Sequence, residues 1–433
     1  MKKRNSPLRF LGVRLLTFAE IGLKFCLFLP ILLFMVWFNY KVDVSGLFQG
    51  ELAPRQVANL LLEGSTVSGY DQMDERQVLE VYAQNLTEAP DTLALGSSRV
   101  LQLSEDLVGG GSFFNAGISG AGPMDIMSIW YLFEREDKLP QNLILEVDPW
   151  LFNADPDINR NSDSELFAEF LEKGLSINAD YEEPDTVELW KALVDPAYFQ
   201  GNVTYYLKQR QTGAVLTEEG QDIPFKAVTG SIENLDYAVK RSDGSIQYPV
   251  NFRSWNYDQV MAEVLAQAGT LNALHGFEQM DAYWTDLFSR FIEHVQAKGV
   301  NVVFLMTPYH PFIALHVYNN PQGLTGFFEV EPWVREFAAK HDIPVYGSYH
   351  AGRVGVQESM FFDGLHCKPE ALRLMFPGIE EALAGGQTAY EQLYLQEYGE
   401  TENSANALIG YDAVCVVVDE EWLAQAEAAT PGL

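Results

Sequence analysis

Two short stretches, far apart in the chain, carry residues able to do chemistry together. Ser98 stands third in Gly96-Ser97-Ser98, directly after the apolar run Thr92-Leu93-Ala94-Leu95. That change reads as a buried strand, a tight glycine turn and the start of a helix, with Arg99, Val100, Leu101 and Leu103 continuing at helical spacing. A serine so placed lies at the carboxyl edge of a sheet and the positive end of a helix, and both favour a developing negative charge. A hydroxyl alone is a weak nucleophile and requires a base. The strongest candidate is His366, in Phe362-Asp363-Gly364-Leu365-His366-Cys367. Asp363 precedes it by three residues, which on a turn brings both side chains to one side. The carboxylate can accept Nδ1–H and leave Nε2 to take a proton from a serine, the logic of a base with its orienter. The plain alternative for such an Asp-x-x-His is a surface helix cap.

The elements that must position these groups alternate along the chain. Strands are predicted at 92–95, 112–115, 142–147, 301–306 and 343–346. Helices are predicted at 53–63, 72–86, 123–135, 164–173, 186–193, 279–298 and 332–340, and another starts near Pro369. The small-residue stretch 116–122 lets backbone approach backbone, and Pro123 suits a first helical turn. Strand–helix alternation favours a parallel sheet covered on both faces. The expected fold is therefore α/β: a three-layer α/β/α domain over 91–385 with a mainly parallel, flavodoxin-like sheet and its site at the strands' carboxyl ends. Residues 151–270 read as an irregular insertion able to roof that site, with a turn between short strands at 241–246. A juxtamembrane helical segment is expected at 42–90 and an acidic tail at 386–433.

Charge narrows the partners. The 28 Lys+Arg stand against 60 Asp+Glu, a net −32, which argues against nucleic acid or an anionic membrane face as partner for the main body. Three cysteines exclude a disulfide framework, leaving only Cys367 and Cys415 able to pair, since Cys26 lies in an apolar segment. At the amino terminus, residues 25–38 are uncharged and apolar, and Lys2, Lys3, Arg4, Arg9 and Arg14 precede them. The run reaches the length of a membrane span of ~20 residues if residues 21–23 join it and Lys24 snorkels. No small-residue cleavage site follows before Asp43. An uncleaved single-pass signal anchor in the cytoplasmic membrane is expected, contacting the bilayer through residues 21–40 and placing the rest in the periplasm or exterior. A peripheral hydrophobic helix is the alternative.

Gly96-Ser97-Ser98, Asn115-Ala116-Gly117 in a glycine loop, a buried strand ending at Val147-Asp148, and Asp363-Gly364-Leu365-His366 occur in an order that resembles the SGNH (GDSL-like) hydrolase superfamily. The nearest likeness is its membrane-anchored branch, which includes the D-alanyl-transfer protein of teichoic acid synthesis and the alginate O-acetylation proteins. The likeness covers about 91–150 and 290–380. It implies Ser98 as nucleophile, His366 as base, Asp363 as orienter, and the amides of Ser98 and Gly117 as oxyanion donors. Glu146-Val147-Asp148-Pro149 stands where the family has Gly-x-Asn-Asp, so Asn115 or Asn153 would have to supply the side-chain donor, or the chemistry is weak or lost. The function implied is that of a serine esterase or O-acyltransferase on an acylated envelope or secreted polysaccharide. The competing expectation is a catalytically silent module binding glycan or a partner membrane acyltransferase.

Arg99, Asp148, Trp150 and His310 are the further candidate substrate contacts. Arg99 holds a substrate carboxylate or pairs with an acidic neighbour, the second being favoured. Trp150 and Phe152 stack on a sugar or belong to the core, the second being favoured, and His310 follows a strand towards the same edge, where a satisfied loop histidine is the favoured reading. No metal or cofactor is expected, because His310, His316 and His350 lack ligand spacing. Cys367 reads as packing or as the partner of Cys415.

Overall fold

A computed structural model describes residues 28–43, 48, 52–69, 74–159, 162–179, 190–212, 215–216, 222–223, 226–271, 274–319 and 322–376, with 379 and 383. The chain divides into two compact units. One comprises Met1–Ala53, Gln72–Asp74 and Glu182–Pro224; the other comprises Pro54–Asp71, Glu75–Tyr181 and Phe225–Leu433. The region expected as one insertion is thus shared between them, with 182–224 grouped with the amino-terminal segment.

The larger unit is built on a parallel five-stranded sheet: β1 (Thr92–Leu95), β2 (Phe113–Asn115), β3 (Asn142–Glu146), β4 (Asn301–Met306) and β5 (Val345–Gly347). Spatially the strands run β5-β4-β3-β1-β2, all parallel, the doubly wound order that reverses between β1 and β3. The strands are apolar runs because both faces are covered. Ala94, Ile144, Val303, Leu305 and Tyr346 turn into one cluster with Ala371, Leu372 and Met375. Phe304, of opposite parity to its neighbours, meets Phe288 at 5.8 Å and stacks on Phe337 at 6.4 Å. Phe114 stacks on Tyr82 at 4.0 Å.

The helices include α1 (Leu52–Leu62), α2 (Glu75–Asn85), α3 (Pro123–Arg135), α4 (Ser164–Lys173), α5 (Tyr257–Thr270), α6 (Ala282–Ala297), α7 (Pro311–Asn319), α8 (Phe327–Lys340) and α9 (Pro369–Met375), of which α2, α6, α8 and α9 supply the partners just named. Two departures from expectation are instructive. Helix α7 was not anticipated, because an apolar stretch opened by proline carries no clear period. Helix α8 begins five residues before Pro332 and runs through it. Its buried residues Phe327, Val330, Val334 and Phe337 keep helical spacing on both sides of the proline, so packing outweighs the lost backbone donor.

The expected hairpin forms at Val239–Lys240 and Ile246–Gln247, within a four-stranded antiparallel sheet completed by Val67–Ser68 and Lys226–Ala227. Its turn rests on the end of β2: the Asn115 amide donates to the Asp243 carbonyl at 2.7 Å. Gly244, at φ +80°, passes so close that a Cβ there would lie 2.1 Å from the Asn115 carbonyl oxygen. Only glycine combines that φ with that approach.

In the smaller unit, residues 28–42 are helical. Phe38 packs edge-on against Phe199 and Tyr206 of the helix Pro196–Thr212. Asn39 donates to the Leu193 carbonyl and accepts from Asn202. Phe28, Ile31, Leu33 and Trp37 are 56–68% exposed. Among the described residues no helix is long and apolar enough to cross a membrane. The expected span begins at 21, and its residues 21–27 lie outside the described residues, as do the basic tip, Cys26, the tail 386–433 and Cys415.

Candidate functional site

Gly96 ends β1 and lets the chain turn against β3. A Cβ at Gly96 would lie 2.5 Å from Glu146 Cβ, so glycine is required there by proximity. Consecutive turns follow instead of the expected helix, with Val100 N donating to Ser97 O and Leu101 N to Ser98 O at 3.2 and 3.4 Å. The helix-dipole contribution anticipated at Ser98 is therefore absent. The side chains of Val100, Leu101 and Leu103 are buried as helical spacing would have them, but the backbone reaches that burial through turns. Ser98 itself stays part-exposed.

The second stretch folds back on itself. Phe361 and Cys367 form an antiparallel bridge, and Phe362 N donates to His366 O at 2.9 Å. Asp363 Oδ1 accepts the backbone amides of Leu365 and His366, each at 2.8 Å, and Oδ2 lies 2.8 Å from His366 Nδ1. His366 Nε2 lies 2.9 Å from Ser98 Oγ. With Nδ1–H donated to the carboxylate, Nε2 is left as acceptor for the serine proton. Burial opposes the charge on Asp363, but the imidazole and the two amides prevail and hold its carboxyl below the ordinary range. The loop is held from outside as well: Gly364 N donates to Gln267 Oε1 of α5 at 2.7 Å, and Gly364 O accepts from His310 N at 3.0 Å.

Beside Ser98 lies a buried polar cluster at the ends of β3 and β4. Arg99, expected either on a substrate or on an acid, pairs with Asp148: Nη1 to Oδ1 is 2.6 Å, with side chains 1% and 2% exposed. Glu146 Oε2 accepts Ser97 N and Ser97 Oγ, and Oε1 accepts Thr307 Oγ1 at 2.6 Å. Burial and the nearby Asp148 carboxylate push Glu146 up to about 8. Burial pushes Asp148 up too, opposed by Arg99 in direct contact. One cation thus faces two carboxylates, and the proton retained near neutrality belongs to Glu146, which lacks the direct contact with Arg99 that Asp148 has and can share its proton with the Asp148 carboxylate.

This has a measurable consequence for stability. In the unfolded chain Glu146 titrates at about 4.3, whereas the folded protein keeps its proton up to about 8. Between those values the native state binds more protons, so this group makes stability fall as pH rises. The wild-type melting temperature is expected to carry that decline between pH 5 and 8, and Glu146→Gln, which cannot ionise, to flatten it. Parallel slopes for the two proteins in thermal denaturation would refute the assignment.

Two expectations are corrected here, and Trp150, Phe152 and His310 take the plainer of their two readings. Asp148 is sealed against Arg99 and does not face substrate. Trp150 is buried, its Nε1 donating to the Ala121 carbonyl at 2.9 Å, and Phe152 packs on Phe288 and Trp333, so both are core. His310 is fully buried, and burial pushes it down to about 3, so it stays neutral and supports the base loop through its backbone. The Gly117 amide donates to Asn115 Oδ1 at 2.9 Å, while Asn115 Nδ2 donates to Val100 O and Leu103 O. Gly117 and Asn115 are thus engaged within the loop, and Asn153 Nδ2 donates to the His275 carbonyl. Of the expected oxyanion donors, the Ser98 amide alone lacks an acceptor among the described residues. Cys367 is buried with a free thiol that burial pushes upward, in packing contact beside Pro308.

No family model matches the chain, and no curated protein matches it. The site is therefore read from its own geometry. Sequence reasoning missed Glu146, whose charge inside the apolar strand Asn142-Leu-Ile-Leu-Glu146 was the available signal, and Thr307, for which no local signal exists. It also missed the aromatic group beside the imidazole. Tyr248 meets His366 edge-on at 6.2 Å and Phe362 at 5.3 Å, and Phe252 stacks on Phe362. Tyr248 and Phe252 come from the region expected to roof the site. Among the described residues no group of three or more histidine, cysteine or acidic side chains could hold a metal ion.

Proposed function

We propose that this chain is a serine esterase or O-acyltransferase of the SGNH type, anchored to a membrane and acting outside the cytoplasm on acyl esters of a polysaccharide. The observation that carries the reading is the unbroken contact from Asp363 Oδ2 through His366 to Ser98 Oγ, at 2.8 and 2.9 Å. Ser98 Oγ attacks the acyl carbonyl as its proton passes to His366 Nε2, and the imidazolium is balanced by Asp363. The Ser98 amide donates to the oxyanion. Collapse expels the alcohol, which takes the proton from His366 and leaves an acyl-Ser98 ester. A water or a sugar hydroxyl, deprotonated by the same imidazole, then takes the acyl group, and His366 returns the proton to Ser98 Oγ as the serine leaves. The choice between them separates hydrolysis from transfer.

Anchoring is supported by the basic tip, the apolar run at 25–38 and the exposed aromatic and aliphatic side chains on 28–42. The acidic balance suits a neutral or cationic partner and disfavours nucleic acid. The polysaccharide substrate rests on the family likeness alone. A second reading, a silent module that binds glycan or a membrane acyltransferase, draws support from the engaged amide of Gly117.

Incubation of the full chain with a fluorophosphonate, followed by peptide mass spectrometry, separates the two. The esterase reading expects a single adduct on Ser98. A folded protein that remains unlabelled, or carries its adduct elsewhere, favours the silent module.

A further inference from the structure

We infer that Arg99 is a positioning residue, a side chain that locks the nucleophile turn to the base loop. The inference rests on the esterase reading and deepens it. Arg99 is the covalent neighbour of Ser98 and is almost fully buried. Its three kinds of donor reach three different pieces of chain. Nη1 meets Asp148 Oδ1 just beyond β3, Nη2 meets the Thr307 carbonyl just beyond β4 at 2.5 Å, and Nε meets the Leu365 carbonyl at 3.2 Å. Leu365 immediately precedes His366. The guanidinium also lies 4.0 Å from the centre of the Tyr309 ring, which fixes its plane.

The consequence is geometric. Gln267 and His310 hold the base loop at Gly364, His310 adding a ring contact with Phe361, and among the described residues neither hydrogen-bonds the Ser98 turn, whereas Arg99 spans the gap from a residue bonded to the nucleophile to a residue bonded to the base. It does so through a rigid planar fork, so the separation of Oγ and Nε2 is set by one stiff group. A lysine carries charge but concentrates its donors at one point, and cannot reach three acceptors spread around a plane. The cluster beneath is arranged to keep that fork charged and in place: Asp148 pairs with it, and Glu146 orients Ser97 and Thr307 on either side. Arg99 therefore acts through Ser98 and His366 without touching the acyl group.

The test uses the full chain, with the fluorophosphonate and p-nitrophenyl acetate as probes, well below the melting point of each variant. Arg99→Lys is expected to lower the rate of phosphonylation and kcat by about 10²-fold, as a misplacement near 1 Å does, with KM changed by less than about 3-fold. Tyr309→Leu, which removes the ring but leaves Asp148 and the Thr307 and Leu365 carbonyls in place around Arg99, is expected to lower the same kcat by about 3- to 10-fold, and it serves if the lysine variant does not fold. Folded variants whose kcat and labelling rate equal those of the wild type, or whose loss falls on KM instead, overturn the inference about Arg99 and leave the esterase reading standing. A wild type that neither labels nor turns over overturns the esterase reading, and the role of Arg99 with it.

Discussion

Ser98→Ala is expected to lower turnover of a small acyl ester by about 10⁴-fold or more and to abolish phosphonylation, with the melting temperature little changed. The size follows from where the hydroxyl sits. It is the only group within hydrogen-bond reach of His366 Nε2 among the described residues, at 2.9 Å, so no neighbouring side chain can replace it as nucleophile. Cys367, the adjacent thiol, is buried and pushed upward by burial, which keeps it protonated and out of reach. Stability is little affected because Ser98 is part-exposed and removing its Oγ leaves no buried group unpaired. Turnover surviving within 10-fold of wild type would show that the chemistry, if present, runs elsewhere.

Asp363→Asn is expected to cost nearly as much, about 10⁴-fold in kcat at neutral pH. Oδ1 accepts the Leu365 and His366 amides, so an asparagine keeps its carbonyl oxygen there and turns its NH2 towards Nδ1. Nδ1 must then accept, the ring proton moves to Nε2, and Nε2 can no longer take the serine proton. The loop geometry survives because both amides stay satisfied, so the fold serves as an internal control. The carboxyl is held below its ordinary range in the native state, so it contributes stability that is present above the unfolded value and lost as pH falls through the folded one. The asparagine variant should lack that acid loss in a melting series between about pH 5 and pH 2. A kcat within a few-fold of wild type would remove Asp363 from the relay.

The two predictions depend on pieces of chain of different character. The pairing of Asp363 with His366 is local, three residues apart, and the Leu365 and His366 amides donated to Asp363 close the turn. Such a unit can be read from spacing, as can strands β1 and β4 and helices α3 and α4, whose limits follow from apolar period, proline and glycine. The turn after Ser98 could not be read so. Its apolar residues carry helical spacing, yet Arg99 and Asn115 draw the backbone out of helix by bonding to groups distant in sequence.

Neighbouring residues along the chain suffice for the alternation that makes a parallel sheet, the glycine that lets Ser98 emerge at its edge, and the local turn that couples Asp363 to His366. These follow from forces acting over a few residues: backbone sterics, apolar period and short-range hydrogen bonds. The tertiary structure alone decided that Ser98 meets an imidazole 268 residues away. It also decided that Arg99 faces inward to Asp148 and Leu365, that Glu146 keeps a proton, and that the Gly117 amide is engaged. Each of these depends on desolvation and on partners brought from remote strands, and neither quantity exists until the sheet has closed around them.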